Sequence, residues 1–146
     1  MNQIFGVIGD PIAHSMSPDM HNDSFQHLGI EATYLPFAVR SENLQDAVKG
    51  MKAIGVKGFN VTIPHKTAIM PFLDKIDPLA ADIGAVNTVK LEDGFYVGYN
   101  TDGLGFVKGL SEQLHASLKE QKVLVIGAGG AARAIYYSLL QEGASH

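Results

Sequence analysis

Apolar and polar positions along this chain switch between two periods. A short apolar run, Ile4–Gly9, predicts a first strand, and the polar stretch from His14 to Gly29 then carries helix signals. Ser17 stands where an N-cap belongs, Pro18 occupies the first helical position, and Gly29 lies just past the end. Thr33–Val39 is β-rich. Ser41 opens a second helix in which Leu44, Val48, Met51 and Ile54 recur at helical spacing. Between Lys57 and Pro64 the pattern alternates strictly, placing Phe59, Val61 and Ile63 on one face and Asn60 and Thr62 on the other. Pro64 stops that strand, and residues 65–73 read as helical.

From Ala85 to Asn100 two short strands flank Asp93-Gly94, a strong hairpin signal, so the sheet is expected to be mixed. A helix follows from Thr101 or Asp102, with Leu104, Val107, Leu110 and Leu114 along one stripe, and is expected to bridge two lobes. Lys122–Gly127 is a continuous apolar strand of the kind buried in a parallel sheet; it feeds a glycine turn and a last helix, Ala131–Gln141. The pattern is α/β throughout.

Composition narrows the classes. With 46% hydrophobic and 18% charged residues the chain can bury a core. A net charge of -4, with eleven Lys and Arg scattered, creates no field for nucleic acid or anionic lipid. The absence of cysteine excludes disulfides, thiolate metal sites and a Cys nucleophile, and fits a reducing compartment. The N-terminus lacks a secretory signal, and the longest candidate span, Val123–Leu140, is cut by Gly127, Gly129, Gly130 and Arg133. A cytoplasmic protein is expected. His14, His21 and His27 share no helix face and lack the i, i+4 pairing of a zinc helix, so no metal is expected. No G-x-S-x-G elbow surrounds Ser15, Ser17 or Ser24.

The turn Gly127-Ala128-Gly129-Gly130-Ala131-Ala132 fits G-x-G-x-x-G/A in the required place, after a strand and opening a helix. Gly127 permits the tight turn, Gly129 admits a pyrophosphate close to the backbone, and Ala132 allows helix and strand to pack closely. Such turns also occur with no ligand. The residue that reads the ribose, about 20 positions beyond the first glycine, falls past His146. The chain is therefore expected to be the front part of a longer protein.

Four polar stretches sit at strand ends or loops: His14–Pro18, Asn60–Lys66 (NVTIPHK), Ala85–Thr88 and Asn100–Gly103. Singly each has a plain structural role. Ser17 would be a helix cap, Lys66 a solvated lysine, Asn60 and Thr62 the face of an edge strand, and Asn87 and Asp102 turn and cap residues. Taken together, in this order and followed by GAGGAARA, they closely resemble the shikimate dehydrogenase family from Ile4 through Ala134.

That resemblance implies a mixed-sheet, three-layer shikimate-binding lobe over residues 1–101, a linker helix over 102–121, and the start of an incomplete Rossmann-type NADP-binding domain over 122–146. The implied activity is the reversible NADPH-dependent reduction of 3-dehydroshikimate to shikimate, in chorismate and aromatic amino-acid biosynthesis. By position, Ser15 and Ser17 resemble the hydroxyl pair that holds the substrate carboxylate; Thr62, Asn87 and Asp102 resemble ligands of its ring hydroxyls, and Lys66 and Asp102 the catalytic pair. Gly127, Ala128, Gly129, Gly130 and Ala131 resemble the cofactor-binding turn, and Asn60 a supporting residue. The chemistry is coherent: reduction of a ketone leaves oxyanion character on oxygen, which calls for a cationic or well hydrogen-bonded proton donor, and an ammonium supplies both. The sequence assigns the proton to neither Lys66 nor Asp102, which are read as a coupled pair. The chain alone is expected to be inactive, and a homodimer is admitted. The competing readings are a non-catalytic shikimate-binding module and a dual quinate/shikimate dehydrogenase.

Overall fold

The computed structural model describes residues 2–114, 117–119 and 121–145. Its sheet has six strands: β1 (Gln3–Gly9), β2 (Ala32–Ala38), β3 (Gly58–Val61), β4 (Lys75–Ile76), β5 (Thr88–Glu92) and β6 (Phe95–Tyr99). They lie in the order β2-β1-β3-β5-β6-β4, with β2, β1 and β3 parallel, β5 antiparallel to both β3 and β6, and β4 parallel to β6. The helices are α1 (Ser17–His27), α2 (Leu44–Ala53), α3 (His65–Ala68), α4 (Pro78–Ile83), α5 (Asp102–Leu114) and α6 (Gly130–Gln141).

Strand alternation decides the two faces. On one, Ile8, Phe59, Val61, Val89 and Tyr96 meet Leu44, Val48 and Met51 of α2 in the main core. On the other, Val7 and Tyr34 form a smaller cluster against which Phe5 and Phe25 of α1 pack. Helices on both faces of the sheet make three layers. The hairpin turns as its sequence requires, with Asp93 at φ 49° and Gly94 at φ 82°.

Several local expectations change. Ser17 is the first residue of α1 rather than its cap, and Ser15 Oγ accepts from Ser17 N at 3.3 Å. Ile63 is 72% exposed and leaves the Phe59–Val61 face. The ladder ends at Val61, and beyond it the backbone is held by Thr62 N donating to Ile8 O and Asp10 N to Ile63 O. Asn60 and Thr62 are not on an edge strand, because β3 lies between β1 and β5. In α5 only Gly103 and Val107 are buried; Leu104 and Leu114 stay exposed because α6 meets a narrower face, with Gly103 backed against Ala134 and Ser138. β4 and α4 were not foreseen, although Asp77 caps Leu79 N at 3.1 Å, Pro78 begins α4 and Gly84 ends it at φ 74°.

The largest departure is at residues 123–126, which form no strand. A strand buried in a parallel sheet needs neighbours, and among the described residues only Ser145 pairs here, bridging Lys122. Leu124 and Ile126 are consequently 85% and 90% exposed. Residues 115, 116 and 120 of the expected linker and 146 of the last unit lie outside the described residues. Among the described residues no helix is long and apolar enough to cross a membrane.

Candidate active site

The polar residues singled out in the sequence converge because β1 and β3 run parallel and end side by side. The segment after β1 brings His14 and Ser15, and the start of α1 brings Ser17; the end of β3 brings Asn60 and Thr62. Lys66 follows on α3, Asn87 stands before β5, and Asp102 opens α5. Ser15, Ser17, Asn60, Thr62, Lys66, Asn87 and Asp102 line one cavity of about 440 Å³ beside Val7 and Ile12. It lies beyond the carboxyl ends of the parallel strands, where open α/β sheets place ligands.

Its centre is an ion pair. Lys66 Nζ lies 2.6 Å from Asp102 Oδ2, with both side chains mostly buried. Asp102 Oδ1 accepts from Asn87 Nδ2 at 2.9 Å, so both carboxylate oxygens are engaged. The start of α5 is anchored separately: Asp102 N donates to Asn100 Oδ1 at 3.1 Å, and Asn100 Nδ2 donates to Ala85 O at 2.9 Å. Val86 N donates to Lys66 O at 2.7 Å, tying the lysine's backbone to the approach to β5.

A second cleft, about 700 Å³, adjoins the first and shares Thr62 and Lys66 with it. Its far wall is Val125, Ile126 and the glycine turn from Gly129 to Ala132. Gly127 adopts φ 122°, which side chains rarely tolerate, and the space where Gly129 would carry a Cβ is open. The turn leads into α6, whose first backbone N–H groups have no intrahelical acceptor. This donor set fits a pyrophosphate. Gly130 has a further duty, since a Cβ there would come within 2.9 Å of Lys66 Cβ.

His65 faces neither cavity. It is fully buried, and its Nε2 lies 2.6 Å from Val39 O, which accepts from it. Among the described residues no group of three His, Cys, Asp or Glu side chains is placed to hold a metal ion. Sequence reasoning gave no individual role to Tyr34, Thr88 or Asn100, although the last two lie in polar stretches it singled out. The Asn-x-Asp spacing of Asn100 and Asp102 is a readable capping signal. Tyr34 carried none, because its hydroxyl donates across 26 positions to Asn60 Oδ1 at 2.7 Å. Burial pushes that hydroxyl up to about 12, so at neutral pH it is a donor.

Known proteins are similar to this chain in sequence and fold. Residues 7–89 match the shikimate dehydrogenase substrate binding domain. A shikimate dehydrogenase (NADP(+)) of Bacillus cereus (strain AH187) is 59% identical over 143 residues, covering 98% of this chain and 52% of that protein. The crystal structure of shikimate dehydrogenase from Aquifex aeolicus superimposes with a TM-score of 0.94 at 49% identity, over 98% of this chain and 53% of that one. Shikimate 5-dehydrogenase from Listeria monocytogenes, solved in complex with shikimate and NAD, gives a TM-score of 0.89 at 43% identity, over 97% and 49%. The chain thus spans about half the length of the relatives it matches. From its fold, its paired cavities and these matches, the chain belongs to the shikimate dehydrogenase family, with residues 7–89 corresponding to the substrate binding domain.

Proposed function

We propose that this chain is the substrate half and the opening cofactor unit of an NADP-dependent shikimate dehydrogenase, reducing 3-dehydroshikimate reversibly to shikimate. The observation that carries the reading is the position of the Lys66–Asp102 pair, held at 2.6 Å where the hydroxyl-lined cavity meets the glycine-turn cleft. Residues 1–101 form the substrate lobe, 102–121 the linker, and 122–146 the start of the NADP domain. The family resemblance and the shared cavity support the assignments. Ser15 and Ser17 hold the substrate carboxylate, while Thr62, Asn87 and Asp102 hold ring hydroxyls. Gly127 to Ala131 receive the cofactor's pyrophosphate.

Bound NADPH supplies the hydride. The protein's own contribution is proton and charge management at one oxygen. Lys66 Nζ presents a cationic donor to the carbonyl oxygen as it gains negative charge, lowering the barrier electrostatically and delivering the proton. Asp102 orients that ammonium and the reacting hydroxyl, so the two act as a coupled pair. In the reverse direction the same pair removes the hydroxyl proton. The assembly is proposed as a homodimer in the cytoplasm, with shikimate and 3-dehydroshikimate as small-molecule ligands.

The test uses the protein at its relatives' full length, following nicotinamide absorbance as shikimate is oxidised. Lys66→Ala should lower kcat roughly hundredfold or more, the scale of a lost general acid, with a smaller change in KM. Turnover near wild type would remove Lys66 from the mechanism. Wild-type binding of shikimate without turnover would instead favour a binding module.

A further inference from the structure

A chain of side chains runs from the α1 face of the sheet to the ion pair, and fixed groups along it dictate the direction of every hydrogen bond. At its inner end the carboxylate of Asp102 only accepts, so the Asn87 atom 2.9 Å from it is Nδ2. The opposite atom faces the backbone N–H of Thr101 at 2.9 Å and is Oδ1. Thr88 Oγ1 lies 3.0 Å from that Oδ1 and must donate to it. Asn60 points one amide atom at the carbonyl oxygen of Asn87, 3.4 Å away, which requires Nδ2; the same Nδ2 donates to Thr88 Oγ1 at 3.2 Å. Asn60 Oδ1 is thereby left facing Tyr34, whose hydroxyl donates at 2.7 Å.

The sequence of donors is Tyr34, Asn60, Thr88, Asn87, ending on Asp102, with Lys66 donating to the other carboxylate oxygen. Each link points the same way, so each polarises the next toward the carboxylate. The outer end is held rigidly. Asn22 of α1 accepts from Tyr34 N at 2.8 Å and donates to Tyr34 O at 2.9 Å, and the Tyr34 ring stacks on His21 with centroids 4.3 Å apart.

We infer that Thr88 and Tyr34 are positioning residues of the shikimate site, whose hydroxyls lock the amides of Asn87 and Asn60 in the one orientation that presents a donor to Asp102. Neither needs to touch substrate. Thr101 also holds the Asn87 amide, its N–H donating to Oδ1 at 2.9 Å and its Oγ1 accepting from Nδ2 at 2.8 Å. Loss of the Thr88 hydroxyl removes one of the two donors to Oδ1 and weakens the hold on the amide without releasing it. The inference rests on the proposed dehydrogenase activity.

The experiment measures kcat and KM for shikimate in the full-length protein carrying Thr88→Val, Thr88→Ser or Tyr34→Phe. Valine preserves the shape of threonine without its hydroxyl, and serine restores the hydroxyl. Thr88→Val should lower kcat about tenfold while KM rises less than about threefold, and Thr88→Ser should stay within about threefold of wild type, as expected when one bond to a charged network is lost and regained. Tyr34→Phe keeps the ring on His21 and should reduce kcat in the same direction by a smaller factor; it carries the test if the valine variant does not fold. Two outcomes overturn the inference: an unchanged kcat in Thr88→Val and Tyr34→Phe, or a serine variant as impaired as valine. Absence of turnover in the wild type would overturn the functional reading itself, a result that is separately visible.

Discussion

Gly130 stands between two jobs that its sequence context joins. As part of the glycine turn it leads into α6, and its missing Cβ also leaves room for Lys66, whose own Cβ would be 2.9 Å from one added there, with Ala85 Cβ at 3.3 Å. Real Cβ contacts are essentially never that short, so Gly130→Ala must displace the lysine stem or the turn. Alanine is the better helix former by up to about 1 kcal/mol, so the variant tests position rather than propensity. In the full-length protein Gly130→Ala should lower kcat at least about tenfold, as small misplacements of a reacting group do, with the fold retained by circular dichroism. An unaltered kcat would show that the approach does not position Lys66. The glycine was legible as a motif member, but its contact with a side chain 64 positions earlier was not.

At the scale of elements, Asp74 joins the helical layer to the sheet. Its Oδ2 accepts from Lys52 Nζ of α2 at 2.7 Å and from the Tyr96 backbone N–H of β6 at 2.7 Å. The hydrogen bond from Lys52, then that from Tyr96, holds its carboxyl below the usual range. A carboxyl depressed on folding stabilises the native state at pH values above its unfolded titration, about 3.9, and that stabilisation is lost as pH falls through the lower folded value. Asp74→Asn should therefore cost about 0.5–1 kcal/mol at pH 7, the scale of a half-exposed pair. Its deficit should shrink below about pH 4. Thermal unfolding from pH 6 to 3 measures this, and parallel Tm curves for the two proteins would contradict it. Of the elements that Asp74 joins, the helical spacing of Leu44, Val48 and Met51 found α2, and the Asp93-Gly94 turn signal found β6, which buries Tyr96, Val97 and Gly98 in succession. Periodicity overreached at Ile63, Leu104 and Leu114, where a period continues past the point at which the neighbouring layer stops covering it.

Over the whole molecule, two cavities meet along Thr62 and Lys66, and every residue proposed to hold substrate lies within 1–101 or at Asp102 just after it. Shikimate titrated into the 146-residue chain should therefore shift the amide resonances of Ser15, Thr62, Lys66 and Asn87 in a two-dimensional NMR spectrum and leave those of α6 beyond its first turn nearly still. Dispersed resonances indifferent to shikimate would mean that this half does not bind by itself. The sequence alone determined the alternation of strands and helices, the Asp93-Gly94 hairpin, the glycine turn and the set of polar residues at strand ends, because period, turn chemistry and capping act over a few neighbouring residues. Tertiary structure alone decided the strand order that places β3 inside the sheet, the close approach of Gly130 to Lys66, and the one-way chain from Tyr34 to Asp102. It also decided that residues 123–126, apolar enough for a buried strand, form none here, since a strand exists only by the neighbours that pair with it.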